Sequence, residues 1–440
     1  MIISQLPELF VQRERALLGP RFDAMFSYPG QGAVRGASVN ALRCTPQQFA
    51  ALADFPLEAS PFCASAFVVP QPDWKPGRHP YHHAGAFYAQ EPSASAPAAL
   101  LDVHPGMRVA DLCAAPGGKT SQLAAALAGQ GVLLANEFVA ARAEVLRQNL
   151  ERMGVTNALA VSAYPDQLAA QWPAYFDAVL VDAPCSGEGM FRRHPETREE
   201  WSPEAPAGCA KRQREILAAA ARLVRPGGRM VYSTCTLNTM ENEENISWFL
   251  AEHSDFSVCP FQLPGVDGTA GMATLFPHRV RGEGHFLALL VRQGEGVETG
   301  AMSPGLPQAD AVRMRALQAF ACGEHPVRVH MLGETLVSLP EACPALRGIR
   351  VLRAGLHLGQ VRGKLFFPDH AWALSAQPPE CPRVALTQEE AMAYQAGEEL
   401  PAEGTGYVLP TFEGLPLGWG KVSNGRMKNH YPKGLRRTLR

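Results

Sequence analysis

The chain has 440 residues, with 40 lysines and arginines against 42 aspartates and glutamates, so its formal net charge is only −2. This balance excludes a polycation that binds nucleic acid over its whole surface, and any nucleic-acid contact must come from a local patch. The length exceeds that of one typical core, so we expect roughly two to four domains. The sequence shows no run of about 18 apolar residues and no signal-peptide layout at its start. We therefore expect a cytoplasmic protein that does not span a membrane.

Taken in chain order, residues 1–95 mix short helical and extended segments with many prolines. Over residues 96–293, short apolar runs alternate with helical patterns. The strand-like runs are MRVADLC, GVLLANEF, FDAVLVD, RMVYSTCT and the late GHFLALLVR. Continuously apolar strands separated by helices are typical of a parallel sheet, so we predict an α/β domain.

The remaining third of the chain has a different pattern. Residues 294–310 are rich in glycine and proline and lack apolar periodicity, which predicts a linker. Beyond the linker, short strand-like runs alternate with turn signals. We predict a small α+β module over 311–380 and a second, β-rich module over 381–440.

Cysteine and histidine spacing argues against a metal site. Ten cysteines are scattered along the chain, and none are paired at the C-x-x-C spacing of a zinc ribbon. His79, His82 and His83 are grouped in RHPYHH, but no cysteine or acid stands at ligand spacing. We expect no metal, and in a reducing cytosol the cysteines should be free thiols.

A glycine loop, DLCAAPGGKT, stands between a predicted strand and a predicted helix. Gly117 and Gly118 allow a ligand to approach the backbone closely at a helix N-terminus. The spacing is not that of a P-loop, because Cys113 stands where that motif needs glycine, and G-x-G-x-x-G is absent. Glu137 ends the next strand and is placed to accept hydrogen bonds from a ribose. A tight turn with an incidental Lys119 is the alternative, but the loop and the acid together favour S-adenosylmethionine.

Two cysteines follow strands of the same predicted sheet. Cys185 lies just after Asp182, and Cys235 ends the strand VYST. Because the carboxyl ends of parallel strands line the ligand crevice, both thiols should face the cofactor. Carbon 5 of cytosine is a weak nucleophile until a thiolate adds to carbon 6, and an acid near ring N3, such as Asp182, would stabilise the adduct. This chemistry does not say which cysteine attacks, and either one alone could be a small buried residue.

The motifs DLCAAPGGKT, VDAPCSGEGMFRR and VYSTCTLNTMENEENI occur in this order. Together they resemble the RNA 5-methylcytosine methyltransferases of the Nol1/Nop2/Sun family. The final LGWGKVSNGRMKNHYPKGLRR is similar to the tail of the bacterial RsmF-type 16S rRNA methyltransferases. The resemblance extends over nearly the whole chain and is weakest in 300–380. It implies a Rossmann-like methyltransferase sheet, an RRM-like N-terminal module and a PUA-like C-terminal module.

The resemblance also implies roles for individual residues. The cysteine of the Thr-Cys motif, Cys235, would attack carbon 6, and Cys185 would assist release of the enzyme. Glu137 and Asp182 would bind S-adenosylmethionine together with the loop. The loop residues are Cys113, Ala114, Ala115, Pro116, Gly117, Gly118 and Lys119. Family members often carry an aspartate near the adenine, where this chain has Tyr164, with Asp166 two residues on.

The end of the chain is rich in basic residues and has no acid from Lys421 onward. The cations are Lys421, Arg426, Lys428, Lys433, Arg436, Arg437 and Arg440. His430 and Tyr431 lie among them and are predicted to stack on RNA bases, although a solubilising tail is the alternative. Arg192, Arg193 and His194 follow the Cys185 loop and are candidates for phosphate contacts.

The predicted substrate is RNA, most specifically 16S rRNA of the small ribosomal subunit. We expect the protein to act as a monomer. Two alternatives remain open at this point. One is a tRNA cytosine-C5 methyltransferase, because the catalytic motifs do not separate the two substrates. The other is a noncatalytic RNA-binding assembly factor that keeps the fold.

Overall fold

A computed structural model describes residues 3–26, 33–266, 270–296, 303–321 and 326–436. The part described forms four β-sheets with helices packed around them. The mixed α/β architecture predicted from the sequence is confirmed. Within the described ranges, no helix is long and apolar enough to cross a membrane, and no group of three or more His, Cys, Asp or Glu side chains could hold a metal ion.

The N-terminal module is an antiparallel four-stranded sheet with short helices. Its elements are α1 (Glu8–Leu18), α2 (Pro20–Phe26), β1 (Arg35–Val39), α3 (Pro46–Leu52), β2 (Glu58–Ala59), β3 (Ala66–Val69), α4 (Pro80–His83) and β4 (Phe87–Ala89). The strand order is β2-β3-β1-β4. The helix α3 begins with a capping box, in which Thr45 and Gln48 satisfy each other's free backbone N–H groups. An aromatic cluster around Phe49 and Phe87 fills the core of the module.

The central module is built on a mostly parallel sheet. Its helices are α5 (Ala96–Leu100), α6 (Gly118–Leu127), α7 (Ala140–Arg152), α8 (Pro165–Gln171), α9 (Glu196–Glu200), α10 (Ala205–Leu223) and α11 (Glu243–Glu252). Its strands are β5 (Arg108–Asp111), β6 (Val132–Asn136), β7 (Ala158–Val161), β8 (Phe176–Asp182), β9 (Val224–Thr234), β10 (Phe256–Val258), β11 (Met272–Leu275) and β12 (His285–Arg292). Each predicted strand of this region is present.

The order of strands places all candidate site residues at one edge. Strands β9-β8-β5-β6-β7 are parallel, and β12 joins the sheet antiparallel to β9. The interior strands are continuously buried, as the apolar runs predicted. Asp111, Asn136, Asp182 and Thr234 end four of the parallel strands, so the residues that follow them meet at the carboxyl edge of the sheet.

Two smaller sheets form the C-terminal part. The elements are α12 (Ala311–Ala321), β13 (Val329–Leu332), β14 (Thr335–Ser338), β15 (Val351–Ala354), β16 (Leu356–Arg362), β17 (Leu365–Pro368), α13 (His370–Ala373), β18 (Arg383–Ala385), α14 (Gln388–Ala396), β19 (Leu400–Pro401), β20 (Gly406–Phe412), β21 (Leu415–Pro416), β22 (Gly420–Ser423) and β23 (Arg426–Asn429). The predicted linker overlaps residues 297–302, which lie outside the described residues. The exact module boundaries stay a prediction.

The first C-terminal module contributes a strand to the central sheet. Strand β15 pairs antiparallel with β7, and the backbone N–H of Gly355 donates to the carbonyl of Ala158 at 2.9 Å. The last module packs against the N-terminal one, where the rings of Tyr81 and Phe412 lie 5.0 Å apart. Because both C-terminal modules contact earlier parts of the chain, they are fixed relative to the central sheet.

Arg353 in β15 is buried, with 1% of its surface exposed, and its guanidinium donates to the carbonyls of Gly355 and Val155. We expect Arg353→Ala to lower the free energy of unfolding by about 3 kcal/mol, because two buried carbonyls lose their partners. Urea unfolding followed by tryptophan fluorescence measures this. Arg347→Ala, at an exposed position of the same module, is the control and should change stability by less than about 0.5 kcal/mol. Equal stability of both variants would contradict the assigned role.

Candidate active site

A cavity of about 680 Å³ opens at the carboxyl edge of the central sheet. Cys113, Glu137 and Tyr164 line one end of it, and Asp182, Cys185 and Cys235 line the other. The structure thus brings together residues that are more than 120 positions apart in the sequence. Of the predicted loop, Cys113 and Ala115 reach the cavity wall.

The glycine loop connects β5 to α6 and needs its two glycines. Gly117 has φ 114°, a left-handed conformation that strongly favours glycine. A Cβ on Gly118 would lie 3.1 Å from the ring of Tyr88, so a side chain here would require this ring of the N-terminal module to shift. The hydroxyl of Thr120 donates to Asp111 at 2.7 Å and ties the start of α6 to the end of β5.

Glu137 lies where the sequence placed it, directly after β6. Its residue is only 4% exposed, and Oε1 accepts the backbone N–H of Val139 at 2.9 Å. Arg142 approaches Oε2 at 3.4 Å. Because the carboxylate is held by these two partners and still lines the cavity, its remaining acceptor positions suit a pair of hydroxyl groups.

Two exposed aromatic rings border the same end of the cavity. Tyr164 is 58% exposed and Phe138 is 47% exposed, and their ring centroids lie 4.1 Å apart. Exposed rings of this size at a cavity wall offer a stacking surface for a planar ligand group. Asp166 also lines the cavity, and its carboxylate forms an ion pair with Arg222.

Asp182 sits at the end of β8 among three polar neighbours. Lys119 donates to Oδ2 at 2.8 Å, Ser233 donates to Oδ1 at 2.8 Å, and Nε2 of His285 lies 3.4 Å from Oδ1. Burial alone would raise the pKa of Asp182, but Lys119 and His285 overcome burial and hold that pKa well below its ordinary value. The carboxylate is therefore ionised at neutral pH and acts as a hydrogen-bond acceptor.

The two cysteines predicted to share the site are in direct contact. Sγ of Cys185 and Sγ of Cys235 lie 3.2 Å apart, and both residues are half-buried and line the cavity. The contact with Cys235, together with burial, raises the pKa of Cys185 well above its ordinary value. Since two adjacent thiols cannot both ionise easily, the pair carries at most one negative charge.

Buried polar residues that the sequence analysis did not single out hold the two cysteine loops together. The carboxylate of Glu241 accepts hydrogen bonds from the backbone N–H of Ser186 at 3.0 Å, from Asn238 at 2.7 Å and from Gln213 at 2.7 Å. Glu188 accepts from Thr236 at 2.9 Å. Both acids stand inside the two cysteine motifs, but nothing in the motifs or their spacing showed that these two side chains are buried.

The residues predicted to contact RNA fall into two groups. Arg192 is engaged within the protein, because it donates to the buried Glu283 at 2.8 Å and to the carbonyl of Gly282 at 2.9 Å. Arg193 donates to the carbonyl of Val34 at 3.1 Å, and His194 lies 2.9 Å from Glu196. These contacts make the segment part of the loop structure and not a free basic surface.

The C-terminal tail also differs from its prediction in one respect. Tyr431 is only 4% exposed and contacts His83 through its hydroxyl at 3.1 Å, so its ring packs inside the protein and cannot stack on a base. The cations Lys421 and Lys428 are exposed and lie directly opposite each other on β22 and β23. Arg437 and Arg440 lie outside the described residues.

Family models match the chain in four consecutive regions. Residues 98–291 match the 16S rRNA methyltransferase RsmB/F model, and 6–92 match the N-terminal domain of 16S rRNA methyltransferase RsmF. Residues 317–375 match the first C-terminal domain of RsmF, and 381–437 match the RsmF PUA domain. The PUA-like character expected of the last module is confirmed.

Similar proteins and structures agree with these models. The ribosomal RNA small subunit methyltransferase F of Cronobacter sakazakii is 32% identical over 98% of this chain and 96% of its own length. The protein of the same name from Salmonella heidelberg is 33% identical over the same shares. The structure of a methyltransferase homolog from Pyrococcus horikoshii is 28% identical and covers 66% of this chain and all of its own, with a TM-score of 0.58. The chain therefore belongs to the RsmB/F family of 16S rRNA methyltransferases and carries the N-terminal, first C-terminal and PUA domains of RsmF.

Proposed function

We propose that this chain transfers a methyl group from S-adenosylmethionine to carbon 5 of cytosine in 16S rRNA through a covalent adduct between cysteine and carbon 6. The observation that carries this proposal is the contact of two thiols, 3.2 Å apart, in the same cavity as residues suited to bind a nucleoside. A single cavity that holds both groups can present a methyl donor to a base bound at the thiols. Family membership supports the reaction class and the RNA substrate.

The residues at the opposite end of the cavity fit S-adenosylmethionine. Glu137 would accept hydrogen bonds from the ribose hydroxyls, and the exposed rings of Phe138 and Tyr164 would stack on the adenine. The loop from Cys113 to Lys119 would hold the methionine part through its backbone. When bound, S-adenosylmethionine supplies an electrophilic methyl group. A cavity of about 680 Å³ lies within the range of drug-sized ligand sites.

The cysteine chemistry follows from the shared charge of the pair. The thiolate of Cys235 forms a bond to carbon 6, and the electron pair of the 5,6 double bond makes carbon 5 nucleophilic toward the methyl group. Asp182, an ionised acceptor, would hold the base in the adduct by accepting a hydrogen bond from its amino group.

Release of the product calls on the second cysteine. Once the sulfur of Cys235 is bonded to carbon, its negative charge is gone, and the main cause of the raised pKa of Cys185 is removed. Cys185 can then release its proton to solvent and, as a thiolate, accept the proton from carbon 5. The electron pair of that C–H bond re-forms the double bond and expels Cys235 as a thiolate.

The structure bears differently on the two alternatives. Two thiols in contact, in the same cavity as the glycine loop, favour an enzyme over a noncatalytic assembly factor. A tRNA substrate would leave the catalytic cavity unchanged, but the RsmF-type modules favour rRNA of the small subunit. We propose that the protein acts as a monomer in the cytoplasm.

Trapping of RNA tests both the reaction and the substrate. In Cys185→Ala, the bond to carbon 6 forms but elimination stalls, so a protein–RNA adduct should survive denaturing electrophoresis. Cys235→Ala and the double variant should trap none, because attack is impossible. Sequencing of the trapped RNA from cell extract should return 16S rRNA. If Cys235→Ala traps RNA, the roles of the two cysteines are exchanged. If the trapped RNA is tRNA, the alternative substrate is established. If the parental protein is inactive on every RNA, the proposed reaction is refuted.

Removal of the Glu137 carboxylate tests the cofactor end of the cavity. Glu137→Ala loses a charged acceptor worth roughly 1.5–3 kcal/mol. Calorimetry should therefore show the affinity for S-adenosylmethionine falling by about one to two orders of magnitude. Glu144→Ala, at a half-buried position of α7 outside the cavity lining, is the matched control and should bind as the parental protein does. Unchanged affinity in Glu137→Ala would remove this residue from the site.

Point variants test the RNA contact of the last module better than truncation does. Truncation after residue 420 would delete Val422, Met427 and Tyr431, which are buried in the core that this module shares with the N-terminal one. Lys421→Ala combined with Lys428→Ala should weaken RNA binding and lower the slope of its salt dependence by about two phosphates. The single-turnover rate at saturating RNA should change little.

Lys364→Ala, on the exposed turn between β16 and β17, controls for the loss of positive charge elsewhere. It should leave RNA affinity and the salt slope close to those of the parental protein. Normal binding with a slow chemical step in the Lys421 and Lys428 variant would instead assign this surface to ordering of the active site.

A further inference from the structure

One buried carboxylate beside the active site takes no part in the chemistry described above. Glu188 follows Cys185 by three residues, and its side chain is fully buried. Its carboxylate accepts hydrogen bonds from Thr236 at 2.9 Å and from Asn238 at 3.1 Å, both in the loop that follows Cys235. Glu188 therefore connects the loop of one cysteine to the loop of the other.

The positive charge that compensates Glu188 comes from the N-terminal module. Arg13 of α1 donates to Oε1 of Glu188 and also to Glu14 at 2.9 Å. Among the described residues, Arg13 is the only cation that forms an ion pair with Glu188. A buried carboxylate without a counter-charge is strongly destabilising, so the order of both loops depends on a residue some 170 positions upstream.

The cluster contains more negative charge than one arginine can compensate. Glu14 is fully buried, and no described residue forms a hydrogen bond with its Oε2. Burial and the negative charge of Glu188 raise the pKa of Glu14 to about 7. Glu14 is thus readily protonated near neutral pH. Glu188 accepts the hydrogen bonds from the loop that follows Cys235.

Packing fixes Arg13 at this place. The ring of Phe10, one turn earlier on α1, meets the edges of Phe191 at 5.0 Å and Trp201 at 5.8 Å. The indole N–H of Trp201 donates to Glu188 at 3.0 Å, and the guanidinium of Arg13 lies 5.5 Å from the Trp201 ring. The helix is thus attached to the segment that follows Cys185 by apolar and polar contacts together.

We propose that Arg13 is a positioning residue for methyl transfer, through which the N-terminal helix keeps the Cys185 and Cys235 loops in their relative arrangement. The proposal rests on the function proposed above, since it concerns the two cysteines as reacting groups. The N-terminal module then has a second role beside any contact with RNA. Chemistry at the cysteines depends on the docking of α1.

The first test compares Arg13→Met with Arg15→Met. Arg15 lies on the same helix and pairs with the exposed Asp23, so it controls for loss of charge from α1. In Arg13→Met, the single-turnover rate at saturating RNA should fall by roughly ten- to a hundredfold, because the thiols are displaced from the base. The affinity for S-adenosylmethionine should stay unchanged, and Arg15→Met should keep the parental rate.

A double variant separates positioning from a general loss of structure. Glu188→Gln keeps an oxygen acceptor for Thr236 and Asn238 but removes the charge that Arg13 compensates. In the Glu188→Gln background, Arg13→Met should therefore change the rate by less than about threefold. If Arg13→Met slows the reaction equally in both backgrounds, or lowers cofactor affinity by the same factor as the rate, the proposal is wrong.

A third measurement does not depend on the RNA reaction. Without RNA, the alkylation rates of Cys185 and Cys235 by iodoacetamide, followed by mass spectrometry, should rise in Arg13→Met as the loops separate. The half-buried Cys381 in the last module should react at its parental rate. A parental protein that methylates no cytosine but shows this change would refute the proposed function and leave the loop coupling in place. Unchanged alkylation in an active, folded Arg13→Met would refute the coupling.

Discussion

The ion pair between Lys119 and Asp182 is the contact on which the site depends. Lys119 belongs to the glycine loop, whereas Asp182 ends β8 and also accepts a hydrogen bond from Ser233 on β9. One half-buried carboxylate thus joins the part that would hold the methyl donor to the strand that leads to Cys235. Because the pair is largely withdrawn from solvent, loss of either partner leaves an uncompensated charge at the site. The reacting groups are therefore placed by electrostatics as well as by the sheet.

The site places two neighbouring thiols on loops that are held by buried hydrogen bonds. Sγ of Cys185 and Sγ of Cys235 are in contact, and this contact together with burial raises the pKa of Cys185. In the proposed reaction, both acid–base partners therefore lie side by side. The carboxylates of Glu188 and Glu241 accept hydrogen bonds that hold the two loops carrying the thiols.

The sequence predicted the parts of the molecule that local chemistry determines. Apolar runs located β5, β6, β8 and β9. Because ligands bind at the carboxyl ends of parallel strands, the sequence also predicted that Glu137, Cys185 and Cys235 lie close together, and all three line the same cavity. Contacts between modules that are distant in the chain could not be predicted from the sequence. Strand β15 pairs with β7 nearly 200 residues earlier, and Tyr431 packs beside His83, because burial against a distant module leaves no periodic signal in the chain.

The late strand β15 has a consequence for how this protein is made. Until residues 351–354 leave the ribosome, the edge of the catalytic sheet at β7 carries free backbone N–H and C=O groups. At about 5–20 residues per second, the interval of about 190 residues amounts to roughly 10–40 s of synthesis. During that time the nascent sheet offers an open edge to other strands. A member of an rRNA methyltransferase family is thus itself exposed to strand mispairing while a ribosome still holds the part of the chain that contains β15.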